Sequence, residues 1–206
     1  MALKLNKNWA IIIRIAVASF VFLVLGLIAS ASRLNFVDKA AVELIYGLPS
    51  QLEPVLDTIT QIGSIGAFVV VSVVLLALKR YQTARKLIPS GILAIVISLI
   101  AKEFYRTDRP FVVLNDIVER VGSSDTFGFP SGHVAIISAI AFSLMGMASK
   151  NLRIVLWVLI ILVATSRLYL GVHTLTDVVG GFMLGYIAAE SVQFVINITD
   201  RHKRKK

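Results

Sequence analysis

The chain has 206 residues, 57% of them hydrophobic and 16% charged, with a mean hydropathy of +0.83. A soluble domain of this length has too little interior to hide so much apolar surface, and disordered chains are poor in it, so both classes are excluded in favour of an integral membrane protein. The formal charge is +9, and the absence of Cys excludes disulfides, thiolate metal sites and cysteine nucleophiles.

A membrane-crossing helix needs about 20 mostly apolar residues. Six segments qualify as expected spans. They are Ala10 to Ala31, Thr58 to Leu78, Leu87 to Tyr105, Ser131 to Ser149, Ile154 to Leu170, and Asp177 to about Ile196. Between the first two lies Leu34 to Asp57. Its apolar residues Val37, Ala40, Ala41, Leu44 and Ile45 recur at helical spacing beside acidic ones, which predicts one or two short interfacial helices. The expected fold is an all-α bundle of six transmembrane helices in one domain, 1–206, with tails 1–9 and 198–206. The first apolar stretch is 22 residues long. A signal core runs about 7–15, so the segment reads as a retained span.

Loop charge predicts orientation. With six spans both termini share one side. That side collects 13 basic residues: Lys4, Lys7, Lys79, Arg80, Arg85, Lys86, Lys150, Arg153, Arg201, Lys203, Arg204, Lys205 and Lys206. Asp200 is its only acid. The opposite side carries Arg33 and Lys39 against Asp38, Glu43, Glu53 and Asp57. The termini are therefore expected in the cytoplasm and the loop Arg106 to Pro130 outside. Topology accounts for the basic tail, so no nucleic-acid partner is expected. A bacterial cytoplasmic (inner) membrane is the expected location. Arg14, just inside the cytoplasmic end of span one, is expected to snorkel to the interface.

This topology brings distant polar residues to the outer face. Lys102 ends span three and Arg109 follows. Ser131, Gly132 and His133 open span four. Arg167 lies near the end of span five, His173 in a tight turn, and Asp177 at the start of span six. Ionisable residues within spans are costly and usually mark a site. Three cations suit phosphate, and a helix start at Ser131–Gly132 offers backbone N–H groups to an anion. His173 and Asp177 are four residues apart, hence on one face if the turn is helical. Asp177 would then hold one ring nitrogen and leave the other nucleophilic, while His133 protonates a leaving oxygen. Taken singly, each residue also has a structural reading. Arg109 could anchor a loop to headgroups, Asp177 could cap a helix, and Arg167 could pair with an acid. Gly180, Gly181 and Gly185 read as close helix packing. Tyr105, Phe127 and Phe129 read as interfacial aromatics.

The chain reads KEFYRTDRP from Lys102 to Pro110, PSGH from Pro130 to His133, and SRLYLGVHTLTD from Ser166 to Asp177. In order and spacing these resemble the three-part signature of the type 2 phosphatidic acid phosphatase family of membrane lipid phosphatases. Departures are small: Asp108 puts an acid before Arg109, and Val134 follows the motif histidine. The resemblance implies that His173 attacks phosphorus to form a phosphohistidine and Asp177 orients it. It implies that His133 protonates the leaving group, while Lys102, Arg109, Ser131, Gly132 and Arg167 bind the phosphoryl group. It also implies no metal and no cofactor. A zinc site from two His and one Asp is disfavoured because the neighbouring cations repel a metal ion.

The expected substrate is a lipid phosphate arriving laterally from the bilayer: undecaprenyl diphosphate, phosphatidylglycerol phosphate or phosphatidic acid. Two alternatives stand beside this. A phosphate-lipid binder or transporter would reuse the cations but would not need the His173–Asp177 pair. A vanadium haloperoxidase shares the signature, but six spans in so short a chain speak against it.

Overall fold

The computed structural model describes residues 7–31, 34–122 and 127–203. Among them every regular element is helical. The α-helices are α1 (Lys7–Ala29), α2 (Phe36–Tyr46), α3 (Glu53–Thr60), α4 (Ile65–Ala77), α5 (Tyr81–Tyr105), α6 (Pro110–Val113), α7 (Gly132–Met145), α8 (Lys150–Tyr169) and α9 (Leu175–Lys203). The described residues do not include Lys4, Arg33, Arg204, Lys205 and Lys206, nor the side chains of Lys7 and Lys203, on which part of the expected charge asymmetry falls. Residues 123–126 of the long loop also lie outside them.

Local chemistry sets the helix boundaries. Asn35 starts α2 by accepting the Asp38 N–H at 2.9 Å, and Ser64 and Ser149 start α4 and α8 in the same way. Arg106 adopts a left-handed conformation (φ 47°), and its N–H closes the last turn of α5 onto Lys102 O. Four helices, α1, α5, α8 and α9, are long and apolar enough to cross a membrane. The expected second span is not one straight helix. A 3₁₀ turn (Gln61–Gly63) and the Ser64 cap break it, and the two arms meet at a 53° bend, so the pair supplies at most a fifth span. The fourth expected span is α7, apolar but only 14 residues long. The expected interfacial segment contains α2 and most of α3.

The centre of the bundle is α7 against α9, with α5, α8 and α1 around them. Gly181 and Gly185 let α9 approach α7 until a Cβ on either would collide with the carbonyl oxygen of Ser131 or Ala135. Val134, Ala135, Ala139 and Ala141 of α7 are fully buried there. The side chains of Trp9, Phe20, Leu23 and Leu27 on α1, and of Ile161 on α8, are exposed, as suits helices surrounded by lipid. Phe129 departs from the interfacial expectation. It is fully buried, packed on Phe22 and Tyr105 and against Gly180, because the segment after residue 127 folds inward. Arg14 pairs with Glu190 of α9 at 2.9 Å, with its side chain half exposed.

Candidate active site

Lys102 occupies the last turn of α5, and Arg109 is the residue that starts α6. Both side chains are buried, and both donate to the carbonyl oxygen of Phe127, at 2.6 and 3.4 Å. Thr107 lies between them in sequence and fastens the returning strand of the loop. Its hydroxyl accepts the Phe129 N–H at 2.7 Å and its carbonyl accepts the Gly128 N–H at 2.8 Å. The loop thus delivers Pro130 and Ser131 to the start of α7.

There the Ser131 N–H donates to the backbone oxygen of Asp177 at 3.0 Å, joining the residue that caps α7 to the first turn of α9. Ser131 is fully buried. Its neighbour Gly132 faces Ser98 of α5: a Cβ added there would lie 3.6 Å from the Ser98 hydroxyl. His133 follows in the first turn of α7, and its backbone carbonyl packs on Gly63, where a Cβ would approach within 2.6 Å.

Arg167, in the last turn of α8, is buried and donates through Nη1 to the Thr60 hydroxyl at 2.9 Å. The chain then turns through Gly171 (φ +74°), where a Cβ would press on Ile117 and the Val118 carbonyl. His173 comes next, 2% exposed, with Nδ1 3.3 Å from Asp177 Oδ2. The same Oδ2 accepts the Thr174 N–H at 2.9 Å, and the Asp177 N–H donates to the Thr174 hydroxyl at 3.1 Å. This reciprocal Thr-x-x-Asp pattern is a capping box, so it locks the carboxylate that faces His173. A carboxylate can only accept, so the contact places the ring proton on Nδ1 and leaves the lone pair on Nε2.

Burial holds His173 well below the usual imidazole range, and the charges of Arg167, Lys102, Arg109 and His133 push the same way. These charges lie close enough to His173 to act on it directly. The structure brings together all eight residues singled out by sequence: Lys102, Arg109, Ser131, Gly132, His133, Arg167, His173 and Asp177. Asp108 is exposed on the rim, lining an open cleft of about 130 Å³ beside Asp177. Among the described residues no group of three or more His, Asp or Glu is arranged to hold a metal ion.

Some participants carried no signal in the motifs. Thr60 is separated from Arg167 by 107 residues, and nothing local announces the pairing. Arg120 stacks between the rings of Tyr46 and Tyr169, at 3.9 and 4.3 Å, and donates to both of their carbonyls. It clamps the outer loop to α2 and α8.

The PAP2 superfamily matches residues 83–198, more than half of the chain. An undecaprenyl-diphosphatase from Sulfolobus acidocaldarius is 30% identical over 150 residues, covering 72% of this chain and 73% of that protein. Phosphatidylglycerophosphatase B from Bacillus subtilis is 37% identical over 92 residues, which span 36% of this chain and 45% of that protein. The crystal structure of a transmembrane PAP2-type phosphatidylglycerolphosphate phosphatase from Bacillus subtilis superposes with a TM-score of 0.72 at 26% identity. It covers 87% of this chain and 94% of that one.

Proposed function

The chain belongs to the PAP2 superfamily, and from that premise we propose that it is a membrane phosphatase releasing phosphate from a lipid phosphate or diphosphate. The observation that carries this reading is the Asp177–His173 contact at 3.3 Å beside three buried cations. A binder or transporter needs the cations but has no use for an oriented, neutral imidazole.

The chemistry runs in two displacements. Nε2 of His173 donates its lone pair to phosphorus, and the bond to the lipid oxygen breaks. That oxygen takes a proton from His133 and leaves as alcohol or as lipid monophosphate. Water then attacks the phosphohistidine and gives a proton to His133. The P–N bond breaks, its electrons return to His173, and orthophosphate departs. Asp177 holds the Nδ1 proton and stabilises the positive ring while phosphorus is attached. Lys102, Arg109, Arg167, the Ser131 hydroxyl and the N–H at Gly132 stabilise the charge on the phosphoryl oxygens.

The proposed arrangement is a single domain, 1–206, crossing the membrane six times, with α7 and the bent α3–α4 pair as the fourth and second crossings. The termini lie in the cytoplasm and the site faces outward from a bacterial inner membrane. The proposed substrates are undecaprenyl diphosphate, phosphatidylglycerol phosphate and phosphatidic acid. Relatives bearing the first two activities in their names support two of them. The test is phosphate release by the detergent-purified protein from these three lipids, without added metal. Turnover of at least one, lost in His173→Ala, supports the reading. Binding of all three without release from any favours the binder.

A further inference from the structure

Asp38 belongs to none of the motifs and lies on α2, outside the helices that carry the site. It is nevertheless 3% exposed. Its Oδ1 accepts the backbone N–H of Thr176 at 2.7 Å, and its Oδ2 accepts the Thr176 hydroxyl at 2.7 Å. The Asn35 side-chain amide donates to the same Oδ2 at 2.6 Å. Among the described residues no Lys or Arg is within ion-pair distance of it. Its charge is instead met by the N-terminal turn of α9, where unfilled backbone donors and the helix dipole favour an anion.

Thr176 sits directly before Asp177. The start of α9 is therefore held by two carboxylates, one anchored on Thr174 and the other on Thr176. Asp177 is held from inside by Thr174, while Asp38 reaches across from another helix to hold Thr176. Both carboxylates line the same open cleft. Without Asp38, the Thr176 N–H and hydroxyl would lose a buried, charged acceptor, and the first turn carrying Asp177 could shift relative to His173.

We infer that Asp38 is a positioning residue for the phosphatase reaction: it fixes the first turn of α9 so that Asp177 meets His173 in productive geometry. The inference rests on the reading of His173 and Asp177 above. Asp38 does not touch the phosphoryl group, so its removal should be felt in the chemical step and not in substrate binding. Displacements of about 1 Å in a catalytic constellation can cost about a hundredfold in rate.

The experiment compares Asp38→Asn, Thr176→Val, Thr176→Ser and His173→Ala, each in detergent, using phosphate release from the same three lipids. Rates are normalised to the monodisperse fraction from gel filtration. Asp38→Asn should lower kcat about tenfold to a hundredfold with KM within about threefold, as expected for transition-state geometry. Thr176→Val, which keeps the N–H but loses the hydroxyl, should fall in the same direction by less. Thr176→Ser, which restores the hydroxyl, should recover kcat. A normalised kcat for Asp38→Asn within twofold of wild type, with His173→Ala inactive, leaves the site reading standing and overturns this inference. A loss confined to the yield of folded protein overturns it equally, since that is what a plain anchor of α2 would give. Turnover by His173→Ala near the wild-type rate, or no release by the wild-type protein from any of the lipids, overturns the site reading and this inference with it.

Discussion

Lys102 and Arg109 converge on one oxygen atom, the carbonyl of Phe127, at 2.6 and 3.4 Å. These contacts orient both cations. The same contacts hold the loop that leads into Ser131 and Gly132. The KEFYRTDRP segment thus places two cations and helps set the helix start that joins them in the pocket.

Replacing the proposed nucleophile should separate chemistry from folding. His173→Ala should lose nearly all turnover, while Asp177→Asn should lower kcat by about 10²–10⁴-fold with KM little changed, in the manner of the aspartate in serine-protease triads. If Asp177 only capped α9, Asn would replace it well. kcat would then stay near wild type and any damage would appear in the detergent Tm. Measuring kcat, KM and Tm for the two variants decides between these roles.

Acid should destabilise the protein through His173. Its folded pKa lies well below its ordinary value of 6.5, which the unfolded chain regains. Above pH 6.5 neither state carries the proton and the group contributes nothing to the pH dependence. As pH falls below 6.5 the unfolded chain binds a proton that the folded chain does not. Stability then declines by up to about 1.4 kcal/mol per pH unit until the folded pKa is reached. Thermal unfolding across this range should show Tm falling more steeply in wild type than in His173→Asn. Parallel curves would assign the acid sensitivity elsewhere.

Chelation should leave activity intact. In the proposed site Lys102, Arg109 and Arg167 meet the phosphate charge, so prolonged EDTA treatment followed by assay in metal-free buffer should give the untreated rate. A loss restored by magnesium or zinc would contradict the proposed chemistry.

Topology is open to direct measurement because the chain contains no Cys. Single cysteines at exposed Asp108 and Val118 should react with a membrane-impermeant maleimide on intact spheroplasts, whereas one at exposed Arg80 should react only after lysis. The reverse pattern would turn the molecule over and put the site inside.

Close packing of α7 on α9 should be sensitive to bulk. Gly185→Val would force a branched side chain against the Ala135 carbonyl and Ser138, and should cost about 1–3 kcal/mol or more. A Tm equal to wild type would require the two helices to separate without penalty.

The candidate site was legible in sequence because its residues come in short strings. Pro-Ser-Gly-His marks a helix start, and Asp177 reads as a catalytic partner of His173 or as a cap. The apolar runs predict which ends of the spans lie together. The bend at Ser64 was locally encoded by Gly63-Ser64, a turn followed by a capping residue, yet a hydropathy window averages over such a break. Asp38 was visible only as one acid among several in an outer loop. Its partner Thr176 lies 138 residues away, and no periodicity connects them. Phe129 was misassigned for a related reason. An aromatic near a membrane boundary has the same composition whether it faces lipid or folds beneath the loop, and only Gly180, on a distant helix, makes room for it.

Helix α7 has 14 residues, about 21 Å of rise. The hydrocarbon layer is about 30 Å deep. In the proposed six-span arrangement, a crossing this short draws the helix end that begins at Gly132 below the level reached by the longer spans. The phosphate pocket then forms a shallow well sunk into the leaflet. A lipid can slide in with its tails still immersed, so the enzyme need not lift it towards water before cutting. In that arrangement hydrophobic mismatch, ordinarily a strain that a membrane protein must relieve, would set the depth at which the reaction takes place.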